Sequence, residues 1–427
     1  MGTRGCPLAA AVAGAGGGRA ILPVMDRFQP PPRQADFAIV GGGIVGLAVA
    51  REILIRNSGA RLALVEAEHR LAAHQTSHSS GVVHAGVYYE PGSLKARLCT
   101  QGAADLADYC AERDIPFDRN GKLVVATKEE ELTAIDELER RARANGAPGI
   151  ARIGPEEIPD VEPEARGISA LHSPNTAVVD FGLVSESLAD DIERLGGSIH
   201  LSAPVTGARA VSDRLSLSTG NGSLEVSRAV FCAGLQADRL AKLTGGDPEP
   251  RIVPIRGSWL RVRPGSAGLV RGNIYPVPDP ELPFLGAHLT RGHDGSVLIG
   301  PTAMLVGSRE GYSLTDLSAR DIRETIGWPG TWRLIRRFPA ATAREILHSL
   351  SRRSLVAEAR RLVPALRPED VEAGPAGVRA QALGRDGRLI EDFLVERRGP
   401  AVVVRNAPSP AATSSLALAR LIADRAS

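Results

Sequence analysis

At 427 residues, 43% hydrophobic and 23% charged, the chain has an ordinary globular composition and enough length for two domains. The 51 Lys+Arg against 49 Asp+Glu leave a formal net charge of +2, which gives no electrostatic case for nucleic acid. Cys6, Cys99, Cys110 and Cys232 are scattered without metal-ligand spacing, so no metal centre is expected and a reducing compartment is.

Residues 1–34 are rich in Ala, Gly, Pro and Arg, and Asp26 is their only acid. The glycines between Gly14 and Gly18 interrupt any apolar core, so the segment reads as a disordered extension, or as a start placed too early with Met25 the true one. A short Arg-bearing transit peptide is the competing reading. No later stretch has the roughly eighteen uninterrupted apolar residues that a membrane span needs. The expected location is cytoplasmic. Peripheral contact with the inner face of a membrane is left open by a basic amphipathic run from Arg344 to Arg361.

"DFAIV" (36–40) reads as a buried strand, "GGGIVGLAVAREILIRN" as a glycine turn opening a helix, and "ARLALVEAE" (60–68) as the next strand. That is the β-α-β unit of a parallel sheet. Gly41 permits the tight turn, Gly43 lets the backbone approach a pyrophosphate, and Gly46 lets helix and strand pack closely. The helix start offers free amides and a positive dipole end to phosphates. Twenty positions on (66 − 46 = 20), Glu66 ends the second strand, where a carboxylate accepts ribose hydroxyls.

A polar loop follows instead of the helix and strand of a plain nicotinamide-binding fold. Ser77, Ser79, Ser80 and Gly81 suit a second phosphate contact, and His74, His78 and His84 crowd the same segment. "KEEELTAIDELERRARANG" reads as an amphipathic scaffold helix, and "EEIPDVEPEARG" as a crossing between domains. Residues 183–211 read helix, turn, strand, with Val205 at the strand head counted among the cofactor contacts. Next come a hairpin turning at Asn221-Gly222, a buried strand, and Ala233-Gly234 before a helix, a second approach to the nucleotide. Short strands alternate with turns over 256–307, and 315–363 reads as mostly helical.

"AGVRAQALGRDGRLIEDF" (376–393) and "VVVRNAPSPAATSS" (402–415) bring the chain back through strand and glycine turn to a helix start. There Pro408, Ala411 and Thr413 make a third approach. A helix N-terminus suits a flavin ring, whose reduced form carries negative charge near N1. One long cofactor touched from beginning, middle and end points to FAD. The expected fold is α/β (α+β): a Rossmann-like FAD domain from 35–110, 175–255 and 372–427, and a substrate domain on a mostly antiparallel sheet from 111–174 and 256–371.

"HQTSHSSGVVHAGVYYEPGSLKARLC", "IVPIRG", "GNIYPVPDPELPFLGAHLTRGHDGSVLIGPTAML", "SREGY", "PAGVRAQALGRDGRLIEDF" and "RNAPSPAATSS" together resemble the L-2-hydroxyglutarate dehydrogenase/oxidase family of the FAD-dependent D-amino-acid-oxidase-like superfamily. The departures are Ser77 for a usual Gly, Ser79 and Thr302 for Asn, and Ser308 for Lys. The resemblance implies oxidation of a 2-hydroxy dicarboxylate to 2-oxoglutarate, with electrons passing from FAD to a quinone, another acceptor or oxygen. Amino-acid oxidases and glycerol-phosphate dehydrogenases of the same superfamily are the rival readings.

A dicarboxylate calls for cations, ideally arginines for bidentate pairing. Arg256, Arg309, Arg379 and Arg405 lie inside the matching motifs, with Tyr275 as a further substrate ligand. Hydride transfer to flavin N5 needs a base for the hydroxyl proton, and histidine titrates in the right range. His84 and His288 are the candidates; the resemblance also implies an alternative role for His84, a covalent tether of the flavin like that of a histidine near this turn in some relatives.

Overall fold

The computed structural model describes residues 26–278 and 285–427. Residues 1–25, which hold most of the expected extension, lie outside them. From Asp26 onward the chain is fastened down. Arg27 pairs with Glu193 at 2.8 Å, and its carbonyl accepts the Leu201 amide. Gln34 already opens the first strand, so the folded unit begins ahead of the boundary expected at 35.

Two large sheets carry the fold. In the first, β1 (Gln34–Val40) lies parallel to β2 (Leu62–Val65), joined by helix α1 (Ile44–Arg56). Uninterrupted apolar runs form these strands because helices cover both faces. On one face Ile39 and Leu64 pack with Leu47 and Ile53 of α1 and with apolar residues of Phe181–Arg194 and the C-terminal helix. On the other, Ala38, Val65 and Phe231 form a separate core.

Residues 94–112 form helix α2 (Leu94–Glu112), capped by the Ser93 side chain, which accepts the Ala96 amide. The second sheet then begins with β3 (Lys122–Ala126). Strand β4 (Gly222–Phe231) returns to the first sheet beside β1, after a hairpin whose two turn residues are Gly220 and Asn221, one position ahead of the expected Asn221-Gly222, because Gly222 already pairs with Thr219. In the second sheet, β5 (Arg251–Val262), β6 (Asn273–Pro276), β7 (His288–Arg291) and β8 (Val371–Leu383) pair antiparallel with their neighbours, except that β6 runs parallel to β3. The sheet is mostly antiparallel, as expected.

Three boundaries differ from the expected ones. Strand β8 pairs along its whole length with β5, so the chain re-enters the first sheet at Leu394, not near 372. Its Gly374, Pro375 and Gly377 imitate a turn in sequence. Gly377 is required there because an added Cβ would meet the His78 carbonyl at 2.6 Å. "EEIPDVEPEARG" is no crossing: Ile158 and Ala165 sit in the second core, and buried Glu162 accepts the amides of Arg271 and Gly272. The basic run 344–361 breaks at Ser351, whose side chain caps Arg352–Ala359. Strand β9 (Ala401–Asn406) and helix α3 (Ser415–Ala426) complete the first sheet and its core.

Candidate active site

A cavity of about 1030 Å³ opens where the two sheets meet. Its walls come from the turn after β1, the loop 66–84, the strand ends at 232–237 and 377–381, and the segment 404–413. Gly41 has φ +113°, and an added Cβ there would collide with the Cys232 carbonyl; one at Gly46 would strike the Gly41 carbonyl. Helix α1 has no side-chain cap at Gly43 and no acid in its first turn; the Ile44 amide donates to Thr76 Oγ1 at 3.2 Å, and the amides after it and the dipole are left to an anionic group. Glu66 is fixed beside it: its carboxylate accepts the Gly42 amide at 2.5 Å and the Glu68 amide at 2.9 Å.

Gly41, Gly43, Gly46, Glu66, Ser79, Ser80, Val205, Ala233, Gly234, Pro408, Ala411 and Thr413 all line this cavity. Val205 arrives because the Ala203 amide is tied to the Glu66 carbonyl at 2.8 Å. Gly81 is the exception. Its φ is +76°, and an added Cβ would meet the Val179 carbonyl at 2.8 Å, so it serves a turn packed on a neighbouring strand. Glycine cradle, open helix start and fixed carboxylate fit a dinucleotide.

His84 and His288 also line the cavity. The His84 amide donates to Thr413 Oγ1 at 3.1 Å, and its buried Nδ1 finds no partner among the described residues. Its proton affinity is held well below the ordinary histidine range, first by burial and then by the charges of Lys122 and His288. His288 donates from Nδ1 to the Gly286 carbonyl at 3.1 Å, so Nε2 keeps its lone pair. Its ring stacks on Tyr275 at 3.9 Å and meets Trp259 edge-on at 5.6 Å. Burial pushes its pKa down to about 3. Two neutral imidazoles therefore face one space. The other loop histidines, His74 and His78, also line the cavity but already have partners: His74 bonds Glu68 and Tyr312, and His78 bonds the Ala376 carbonyl.

The four arginines divide. Arg379 lines the cavity, donating to the Thr302 carbonyl at 3.1 Å, with its pKa lowered by burial. Arg309 does not reach it: 1% exposed, it forks onto Asp238 and donates to the Leu235 and Ile252 carbonyls. Arg405 is part of the wall, yet its 1% exposed side chain is bonded to Glu396 and the carbonyls of Asp247 and Glu249. Arg256 also lies off the cavity wall, and its guanidinium donates to the Tyr312 carbonyl and Ser258. These three stitch the fold together. Tyr275 is on the wall as expected.

Sequence reasoning missed Lys95, Gln75 and Trp259, all on the wall. It also missed Gly102 in α2, against which Thr413 and Ser414 pack. Cys232 lines the cavity, but burial pushes its thiol up to about 12, so it is no nucleophile at neutral pH.

Residues 36–425 match the family model described as FAD dependent oxidoreductase. The chain is 41% identical to the mitochondrial L-2-hydroxyglutarate dehydrogenase of Nematostella vectensis, over 93% of this chain and 91% of that one. It is 42% identical to the human mitochondrial enzyme of that name, over 91% and 88%, and 39% identical to the Indibacter alkaliphilus enzyme, over 89% and 96%. The FAD-bound L-alpha-glycerophosphate oxidase of Mycoplasma pneumoniae superposes with a TM-score of 0.72 at 23% identity, covering 92% of this chain and 94% of its own. That likeness carries the fold alone. With a nucleotide cradle closed from three parts of the chain against two imidazoles and an arginine, this chain is an FAD-dependent oxidoreductase belonging to the L-2-hydroxyglutarate dehydrogenase family.

Proposed function

We propose that the protein oxidises L-2-hydroxyglutarate to 2-oxoglutarate. The observation that carries this reading is the meeting of Arg379, His84 and His288 in the cavity that also holds the nucleotide cradle. Bound FAD supplies the two-electron acceptor, which passes electrons on to a quinone, another acceptor or oxygen. Arg379 holds a substrate carboxylate, and Tyr275 flanks it. A neutral imidazole takes the hydroxyl proton as hydride leaves C2, so the carbinol becomes a ketone with no atom added. We assign this base to His84. Its backbone is fastened to the segment 404–413, and its Nδ1 has no competing partner among the described residues.

The test is anaerobic mixing of the yellow holoenzyme with each enantiomer. L-2-hydroxyglutarate should bleach the flavin with 2-oxoglutarate as product, and the D enantiomer should not. Bleaching by an amino acid or a glycerol phosphate instead would sink the assignment.

No helix among the described residues is long and apolar enough to cross a membrane. Peripheral contact is assigned to the exposed Trp332, Ile346, Leu347 and Leu350, flanked by Arg336, Arg337 and Arg344. Sedimentation with anionic vesicles should fall on Leu347→Ser/Leu350→Ser, and unchanged sedimentation would remove the surface from consideration.

A further inference from the structure

Lys122 opens strand β3, where only 2% of its surface is exposed. Buried lysines ordinarily meet a carboxylate. Among the described residues Lys122 forms no ion pair; its ammonium instead lies 4.2 Å from the ring centroid of Tyr275 and 5.0 Å from that of Tyr88. Tyr275 carries the His288 ring 3.9 Å away, and both line the cavity. The Lys122 charge reaches His84 as well, lowering the proton affinity of both imidazoles. This cation, without a carboxylate partner among the described residues, stands one side chain behind the cavity wall.

We propose that Lys122 is a specificity-determining residue, the buried cation that selects substrates with a second carboxylate over otherwise identical monocarboxylates. The inference rests on the substrate reading above. Arg379 can fork onto one carboxylate only. The other lysine of the site, Lys95, already feels Glu391 and Asp392. Among the described residues Lys122 has no carboxylate partner, and a charge in a poorly polarisable interior gains most when an opposite charge arrives. Phenol faces tolerate an ammonium without neutralising it. Burial also pushes its pKa down to about 7, so an arriving dianion meets a group that readily takes and keeps a proton.

The test is anaerobic flavin reduction of the holoenzyme by L-2-hydroxyglutarate and by L-2-hydroxypentanoate, which carries a methyl in place of the far carboxylate. The ratio of limiting rate over Kd for the two substrates should fall about ten- to a hundredfold in Lys122→Met, the worth of an opposite charge about 8 Å away at an effective dielectric constant of about 20. The loss should appear in Kd for the dicarboxylate, and Lys122→Arg should restore most of it. Equal losses for both substrates would make Lys122 a tuner of the imidazoles or a structural residue, and an unchanged ratio would make it a bystander; either overturns the proposal. Should Lys122→Met fail to fold, Lys122→Gln reads the same ratio. If the wild type is not reduced by L-2-hydroxyglutarate, the substrate reading falls by itself. Lys122 is then judged by glutarate against pentanoate binding to the oxidised holoenzyme, where Lys122→Met must show the same selective loss.

Discussion

Gly102 lies in the interior of α2 and outside the cavity wall, yet replacing it by Ala should weaken flavin binding. An added Cβ would stand 2.6 Å from both the Ser414 Cα and the Thr413 carbonyl oxygen. Real Cβ atoms essentially never approach closer than 3.0 Å, so α2 and the segment 413–414 must part by at least 0.4 Å (3.0 − 2.6). Both neighbours are backbone and cannot swing aside. Overpacking of this kind costs ~1–3 kcal/mol. Ala gains back about 1 kcal/mol of helix propensity over Gly. Global stability should therefore change by less than ~2 kcal/mol, while Thr413, which accepts the His84 amide, is displaced. If ~1–2 kcal/mol of that strain is relieved on flavin release, FAD affinity falls about five- to thirtyfold. Titration of apoprotein with FAD, followed by flavin fluorescence, measures the affinity; urea melts measure stability. Gly265→Ala, where an added Cβ meets nothing within 4 Å, is the control. A Gly102→Ala protein with wild-type FAD affinity would refute the reasoning.

Glu66→Ala should strip the two amides of their acceptor and lower FAD retention about ten- to a hundredfold; full flavin after dialysis would exclude the role. His84→Gln should keep FAD and substrate binding but slow flavin reduction by about 10²–10⁴; wild-type reduction rates would pass the role to His288, and loss of a covalent flavin would recast His84 as a tether. Arg379→Lys should weaken dicarboxylate binding with a near-normal flavin spectrum, because Lys lacks the planar fork, while Arg256→Lys should leave kinetics near wild type; the reverse pattern would exchange the two residues. The folded protein holds His288 neutral down to about pH 3, whereas the unfolded chain protonates it near 6.5. Its contribution is therefore complete above pH 6.5 and lost as pH falls toward 3, with a slope of about 1.4 kcal/mol per pH unit within that window. Urea melts of His288→Asn should be flatter by that amount between pH 4 and 6, and parallel profiles would contradict the assignment.

The nucleotide half of the site was legible because its chemistry is local. A glycine turn, a helix start and a carboxylate follow one another within thirty residues, and the two later returns carry the same glycine and small-residue signature. The arginines were not legible. Arg309 and Arg379 both sit in distinctive motifs, and only the fold reveals that Asp238, seventy-one positions away, has claimed the first. Strand β8 was misread since its glycines and proline mimic a turn, and its partner strand lies over a hundred residues earlier. Lys122 did leave a signal in "GKLVVA": a lone charge heading an apolar strand. That pattern marks a group that must be buried or at an edge, without saying which.

The cavity's third wall is built from residues 404–413, on a strand and helix start that also complete the first sheet and its core. During synthesis the surface that closes over the glycine turn and Glu66 emerges more than three hundred residues after them. Capture of the flavin is thereby tied to synthesis of residues 404–413, and a chain without them offers FAD only an open groove. A chain ending at Pro400 would keep every residue of the glycine turn and still purify colourless; a yellow truncated protein would break that link.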